Sequence, residues 1–178
     1  MRHALAAVLL LFALPLVAQD KTHRISLFVT DPGFGFSEGS GSFWDGGVGM
    51  AFEKRFSMRW TAEVAVGREE YTHTGIFPGT AVYDVVSYPV DLTARYHFGN
   101  SYLRWRPYVG GGAHWVSGPD TPLGPLDDRL SAVVIGGLDF NMTERWSLRA
   151  DAKHLVRNDA SEPYDETLKI SIGAGFRF

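Results

Sequence analysis

TLKISIGAGFRF, running from Thr167 to Phe178 at the end of the chain, decides the fold. Its even positions Leu168, Ile170, Ile172, Ala174, Phe176 and Phe178 are apolar, while the odd positions are Thr167, Lys169, Ser171, Gly173, Gly175 and Arg177. A period of two is the mark of a strand, because successive side chains leave a pleated backbone on opposite sides. Strands of soluble proteins run to about five or six residues. Alternation held over twelve positions instead suits the roughly nine to eleven residues that a tilted strand needs to cross a bilayer.

The same grammar recurs upstream. Arg145 to His154 places Trp146, Leu148, Ala150 and Ala152 on one face, with Arg145, Ser147, Arg149, Asp151 and Lys153 opposite. Leu130 to Phe140 sets Leu130, Ala132, Val134, Leu138 and Phe140 against Ser131, Gly137 and Asp139, with Val133 and Ile135 blurring the pattern. Val82 to Phe98 keeps Val86, Tyr88, Val90, Leu92, Ala94, Tyr96 and Phe98 together; Pro89 lacks an amide donor, which predicts a bulge or a lost ladder bond there. Met58 to Glu69, Phe43 to Glu53 and Arg24 to Asp31 complete the clear strands. Pro107 to Val116 is the eighth, and in it Gly110, Gly111 and Gly112 leave either parity open.

Connections alternate in length. Lys54 to Ser57, Gly99 to Arg106 and Asn141 to Glu144 are short. The stretches around Pro32 to Ser42, Glu70 to Ala81, Ser117 to Arg129 and Leu155 to Glu166 are longer and rich in turn-forming and polar residues. An even strand count with short turns at one end and long loops at the other is the layout of an outer-membrane barrel. The predicted fold is all-β, an eight-stranded antiparallel transmembrane barrel. Eleven residues at about 3.3 Å each, tilted by about 40°, cover roughly 28 Å, which fits the roughly 25 Å apolar band of such barrels. A sheet edge in lipid would leave unpaired N–H and C=O groups, so the first and eighth strands must pair.

Residues 1–19 read as a secretory signal: Arg2 and His3, an apolar run from Ala4 to Leu14, Pro15, then Leu16, Val17, Ala18 and Gln19, with cleavage after Ala18 or Gln19 and a barrel over 20–178. The apolar run is too short for an ordinary spanning helix. Seventeen Lys and Arg against twenty Asp and Glu give a net charge of -3, which disfavours a nucleic-acid partner. Without cysteine there are no disulfides and no thiolate metal sites, and the six histidines form no H-x-x-x-H or H-E-x-x-H pair. No cofactor and no catalytic or metal site is expected, nor is the chain expected to be an enzyme.

Strand parity points the acids Asp45, Glu53, Glu63, Asp91, Asp139 and Asp151 inward with the bases Arg59, Arg95, Arg149, Lys153, Lys169 and Arg177. Six face six. Eight strands enclose a space that side chains can fill, and isolated charges there would be costly, so balanced pairing predicts a plugged lumen. Inward Gly47, Gly49, Gly67, Gly137, Gly173 and Gly175 would leave room for long basic side chains. The long-loop rim gathers eleven acids, including Glu69 and the pairs Asp127–Asp128 and Asp165–Glu166, against Arg68, Arg129 and Arg157. Carboxylates with water suit weak binding of Ca²⁺ or Mg²⁺.

TARYHFGN at Thr93 to Asn100, RWRPYVGGGAHWV at Arg104 to Val116, GGLDFNMTERWSLRADAKHL at Gly136 to Leu155 and IGAGFRF at Ile172 to Phe178 resemble the OmpA-like and OmpW-like groups of small outer-membrane β-barrel proteins. The resemblance implies residence in the outer membrane of a Gram-negative-type bacterium, among its lipids and lipopolysaccharide. It also implies that Phe178, with Phe176, Ala174, Ile172 and Ile170, is the signal read by the outer-membrane assembly machinery. The implied role is structural, adhesive or in small-solute handling, with an OmpW-like channel for hydrophobic solutes as one alternative. A lipid A-modifying barrel enzyme is another, for which His154 with Ser161, Glu162 and Glu166 is the grouping to inspect.

Overall fold

The computed structural model describes residues 22–30, 46–73, 83–99, 103–117, 120–121, 124–125, 129–156 and 168–178. The signal segment, Asp45 and the pairs Asp127–Asp128 and Asp165–Glu166 lie outside them. Eight strands make the barrel: β1 (His23–Thr30), β2 (Gly46–Arg55), β3 (Trp60–His73), β4 in two pieces (Tyr83–Ser87 and Pro89–His97), β5 (Trp105–Val116), β6 (Arg129–Asn141), β7 (Trp146–Val156) and β8 (Leu168–Arg177). Each pairs antiparallel with its sequence neighbours, and β8 pairs with β1 from Arg24↔Arg177 to Thr30↔Ser171, so the sheet closes. Asp120–Thr121 and Gly124–Pro125 form a small hairpin in the β5–β6 connection.

The break in β4 falls at Tyr88, just before Pro89. Stepping back three residues along β3, from Glu69 to Val66, steps forward three along β4, from Ser87 to Val90, so no residue is inserted. The missing donor costs ladder bonds without shifting the register, which selects the lost bond over the bulge. In β5 the glycine run resolves as well: Arg106, Tyr108 and His114 are buried, so even positions face inward. A Cβ on Gly112 would collide with the Leu92 carbonyl oxygen of β4, and one on Gly110 with that of Ala94. The backbone of β4 approaches so closely there that only glycine fits at these two positions.

The outer surface explains the alternation. Leu27, Val48, Trp60, Leu92, Val109, Val134, Leu148 and Ile172, one from each strand, are all exposed. A continuous apolar belt of this kind is far larger than the patches that soluble monomers show, and lipid is the medium that suits it. At the short-turn end the belt becomes aromatic: Trp105 lies 4.4 Å from Phe140, Trp146 5.1 Å from Phe176 and Trp60 5.2 Å from Tyr96 between ring centroids. Aromatic rings of this amphipathic kind favour the membrane–water boundary.

Two turns at that end share one design. In Phe56–Arg59, Ser57 Oγ accepts the Trp60 amide at 3.1 Å; in Met142–Arg145, Thr143 Oγ1 accepts the Trp146 amide at 2.9 Å. The barrel also closes here, as the His23 amide donates to the Phe178 carbonyl at 3.4 Å and the Phe178 amide donates to the His23 carbonyl at 3.1 Å.

Candidate functional site in the barrel lumen

Among the described residues, inward parity buries six acids, Glu53, Glu63, Glu69, Asp91, Asp139 and Asp151, and six bases, Arg24, Arg95, Arg106, Arg149, Lys153 and Arg177. They fall into tiers. In the middle tier Arg24 reaches Glu53 at 2.6 Å and Asp139 at 2.8 Å. Arg149 reaches Glu63 at 2.5 Å, Glu53 at 3.1 Å and Asp139 at 3.5 Å. Arg95 pairs with Glu63, lies 4.0 Å from Glu53, and sets its guanidinium 5.1 Å over the Tyr108 ring. Three arginines and three carboxylates from β1, β2, β3, β4, β6 and β7 thus form one network. Ion pairs this deep owe their survival to multiple, well-aligned hydrogen bonds, since each charge has lost its water.

Nearer the long loops the wiring is sparser. Asp91 accepts Lys153 Nζ at 2.7 Å and contacts His114 Nδ1 at 2.5 Å, and Lys169 donates to Glu69 at 2.5 Å. Phe28, Ala65, Gly67, Glu69, Pro89, Asp91 and Lys153 line a cavity of about 10 Å³, room for one water. Asp151 is buried with one carboxylate oxygen unpaired and the other 3.4 Å from the Ser171 hydroxyl. At the opposite, short-turn mouth, Arg106 donates to the Met58 carbonyl at 3.0 Å and Arg177 to the Asn141 side chain.

Of the twelve charges assigned inward by parity, Glu53, Glu63, Asp91, Arg95, Asp139, Arg149, Asp151, Lys153, Lys169 and Arg177 line the lumen. Arg59 does not. It is exposed and donates to the Tyr96 hydroxyl at 2.7 Å, because the turn Phe56–Arg59 precedes β3 and cancels its parity. Arg145 is exposed in the matching turn. Glu69, counted with the rim, is buried against Lys169.

Arg24 and Arg106 were not among the assigned charges. Both sit at or near the first residue of their strands, where alternation has the fewest neighbours to anchor it. The pairing of His114 with Asp91 depends on their standing opposite each other across β4 and β5, a register no single segment reveals. The inward glycines serve rings as much as cations: a Cβ on Gly49 or Gly173 would strike Phe28, and one on Gly137 would sit 2.5 Å from the Tyr108 hydroxyl.

Phe176, Ala174 and Ile172 project from the outer face of β8, and Phe178 stacks 5.9 Å from His23. His154 is exposed on β7, and Ser161, Glu162 and Glu166 lie outside the described residues. Among the described residues no group of three or more His, Asp or Glu side chains is arranged to hold a metal ion. No helix among them is long and apolar enough to cross a membrane.

A family model described as the outer membrane protein beta-barrel domain matches residues 4–178. Among solved structures, the N-terminal β-barrel domain of Pseudomonas aeruginosa OprF superposes with a TM-score of 0.63 at 17% identity, over 89% of this chain and 98% of that one. OprG of the same organism gives 0.59 at 14% identity, over 88% and 96%, and Escherichia coli outer membrane protein W gives 0.55 at 16%, over 90% and 100%. At such identities these similarities show the fold. No curated protein matches the chain in sequence.

Proposed function

The chain belongs to the outer membrane protein beta-barrel domain family, and from that premise we propose that it is a structural or adhesive barrel of the outer membrane whose lumen is closed to ions. One observation carries this reading: among the described residues Glu53, Glu63, Asp139 and Asp91 pair with Arg24, Arg95, Arg149 and Lys153 across the bore, beside a cavity of about 10 Å³. A hydrated ion needs a continuous column of water, and the middle-tier network fills its path with side chains. Activity then belongs to the long loops and the lipid-facing wall, where contacts with lipopolysaccharide and weak Ca²⁺ or Mg²⁺ bridging to acidic loop residues would occur. Recordings from purified mature protein in planar bilayers test the closed bore: little steady conductance is expected, and large, stable channels would overturn it.

The apolar file ending in Phe178 supports a second element of the proposal, recognition by the outer-membrane assembly machinery. Phe178→Ala should slow pulse-chase assembly and increase periplasmic degradation. Wild-type kinetics in that variant would remove this role.

A further inference from the structure

We propose that the short-turn mouth of the barrel binds a phosphate-type oxyanion, held by Arg55, Arg106 and Arg177. Among the described residues six arginines carry a buried Nε with no hydrogen-bond partner: Arg24, Arg55, Arg95, Arg106, Arg149 and Arg177. Arg24, Arg95 and Arg149 are compensated by carboxylates within 4.0 Å. Arg55, Arg106 and Arg177 have no such ion pair among the described residues. Arg106 is 1% exposed and Arg177 7% exposed, yet Arg106 spends its guanidinium on one backbone carbonyl and Arg177 on one amide oxygen. Each guanidinium has five N–H donors, so most of this hydrogen-bonding capacity is unused in a place where water is scarce.

The three side chains come from different sides of one mouth. Arg177 stands opposite Arg24 across the closing seam, and Arg24 in turn stands opposite Glu53, with Arg55 two residues further toward the turn on β2. Arg55 and Arg24 act electrostatically on both Arg106 and Arg177, and so do Glu53 and Asp139. Glu53 Oε2 and Asp139 Oδ1 are already engaged by Arg24 and Arg149 at 2.6–3.5 Å, and the second oxygen of Asp139, a residue that stands opposite Arg106 across β5 and β6, has no hydrogen-bond partner. Among the described residues, the six arginines Arg24, Arg55, Arg95, Arg106, Arg149 and Arg177 face Glu53, Glu63 and Asp139, with Asp151 within electrostatic reach of Arg24 and Arg95, a formal surplus of two positive charges. Unmatched buried cations are costly, and a bound anion is the chemistry that offsets them. Planar guanidinium forks suit phosphate oxygens. A tetrahedral oxyanion can also present acceptors to donors arriving from β2, β5 and β8.

In an outer-membrane barrel the short turns face the periplasm, so the phosphate could be free or part of an inner-leaflet phospholipid headgroup. The test uses the mature protein in a zwitterionic, phosphate-free detergent, titrated with sodium phosphate or with sodium chloride at matched ionic strength while melting is followed. A saturable rise in Tm with phosphate alone is expected. Arg106→Gln should raise the half-saturating phosphate concentration about tenfold, the effect of losing one charge-assisted hydrogen bond, whereas Arg59→Gln, on the outer wall of the same end, should leave it unchanged. If Arg106→Gln does not fold, Arg55→Gln, only half-buried in wild type, carries the same expectation. Equal responses to phosphate and chloride, or a wild-type phosphate response in both Arg55→Gln and Arg106→Gln, would overturn the site. Repeating the titration in phosphatidylglycerol nanodiscs identifies the source: an undiminished rise marks free phosphate, and a rise seen in detergent but abolished in the nanodisc marks the headgroup.

Discussion

Around Glu53 three arginines converge, at 2.6, 3.1 and 4.0 Å, whereas Asp91, nearer the long loops, serves one lysine at 2.7 Å and one histidine at 2.5 Å. Both carboxylates are buried. They differ in what their removal would strand. Taking away Glu53 leaves several guanidinium groups short of charge in a sealed region, while taking away Asp91 leaves Lys153 and His114 beside a water-sized cavity that can help to solvate them. Burial alone is therefore a poor guide to what a lumen charge contributes; the number of partners and the nearness of water decide it.

Three substitutions can break or sharpen this contrast. Glu53→Ala should be the most damaging, costing about 3–5 kcal/mol of stability, the range for orphaning buried partners, read as a lower urea midpoint for loss of the compact gel band. Asp91→Asn keeps the shape and should cost about 1–3 kcal/mol by weakening charge-assisted bonds; a loss equal to that of Glu53→Ala would erase the distinction between the tiers. Lys169→Gln, at a pair whose side chains keep 15% and 12% of their exposure, should cost about 1 kcal/mol or less, as pairs with access to water do. Its effect should also shrink in high salt. A salt-independent loss there would mean that the sealed region extends to the long-loop mouth.

How much of this was legible in the sequence depended on how local the signal was. Alternation from Thr167 to Phe178 or from Trp146 to Lys153 needs no knowledge of the rest of the chain, so strands, faces and ten of the twelve assigned lumen charges could be read segment by segment. Parity failed where a turn intervened, as at Arg59, because a few non-strand residues reset the count. It was silent where side chains vanish, at Gly110 to Gly112, and so gave no hint that Tyr108 and Arg106 face inward. The arginine surplus at the short-turn mouth was illegible for a different reason. Arg55, Arg106 and Arg177 belong to three separate strands, and only closure brings them to one rim.

Closure also sets the order of events in folding. The seam pairs Arg24 with Arg177, 153 positions apart along the chain, whereas the turn after β2 joins Arg55 to Thr61, six apart. By loop-closure entropy the first contact costs about 3 kcal/mol more than the second, and contacts of such separation slow folding. Hairpins can form early, but the ring has no stable intermediate inside lipid, where an open edge exposes unpaired backbone. Within the ring, β8 must find β1 across all the strands between them. Until β1 and β8 have met, the lifetime of the open chain is governed by kinetics rather than by the stability of the finished barrel.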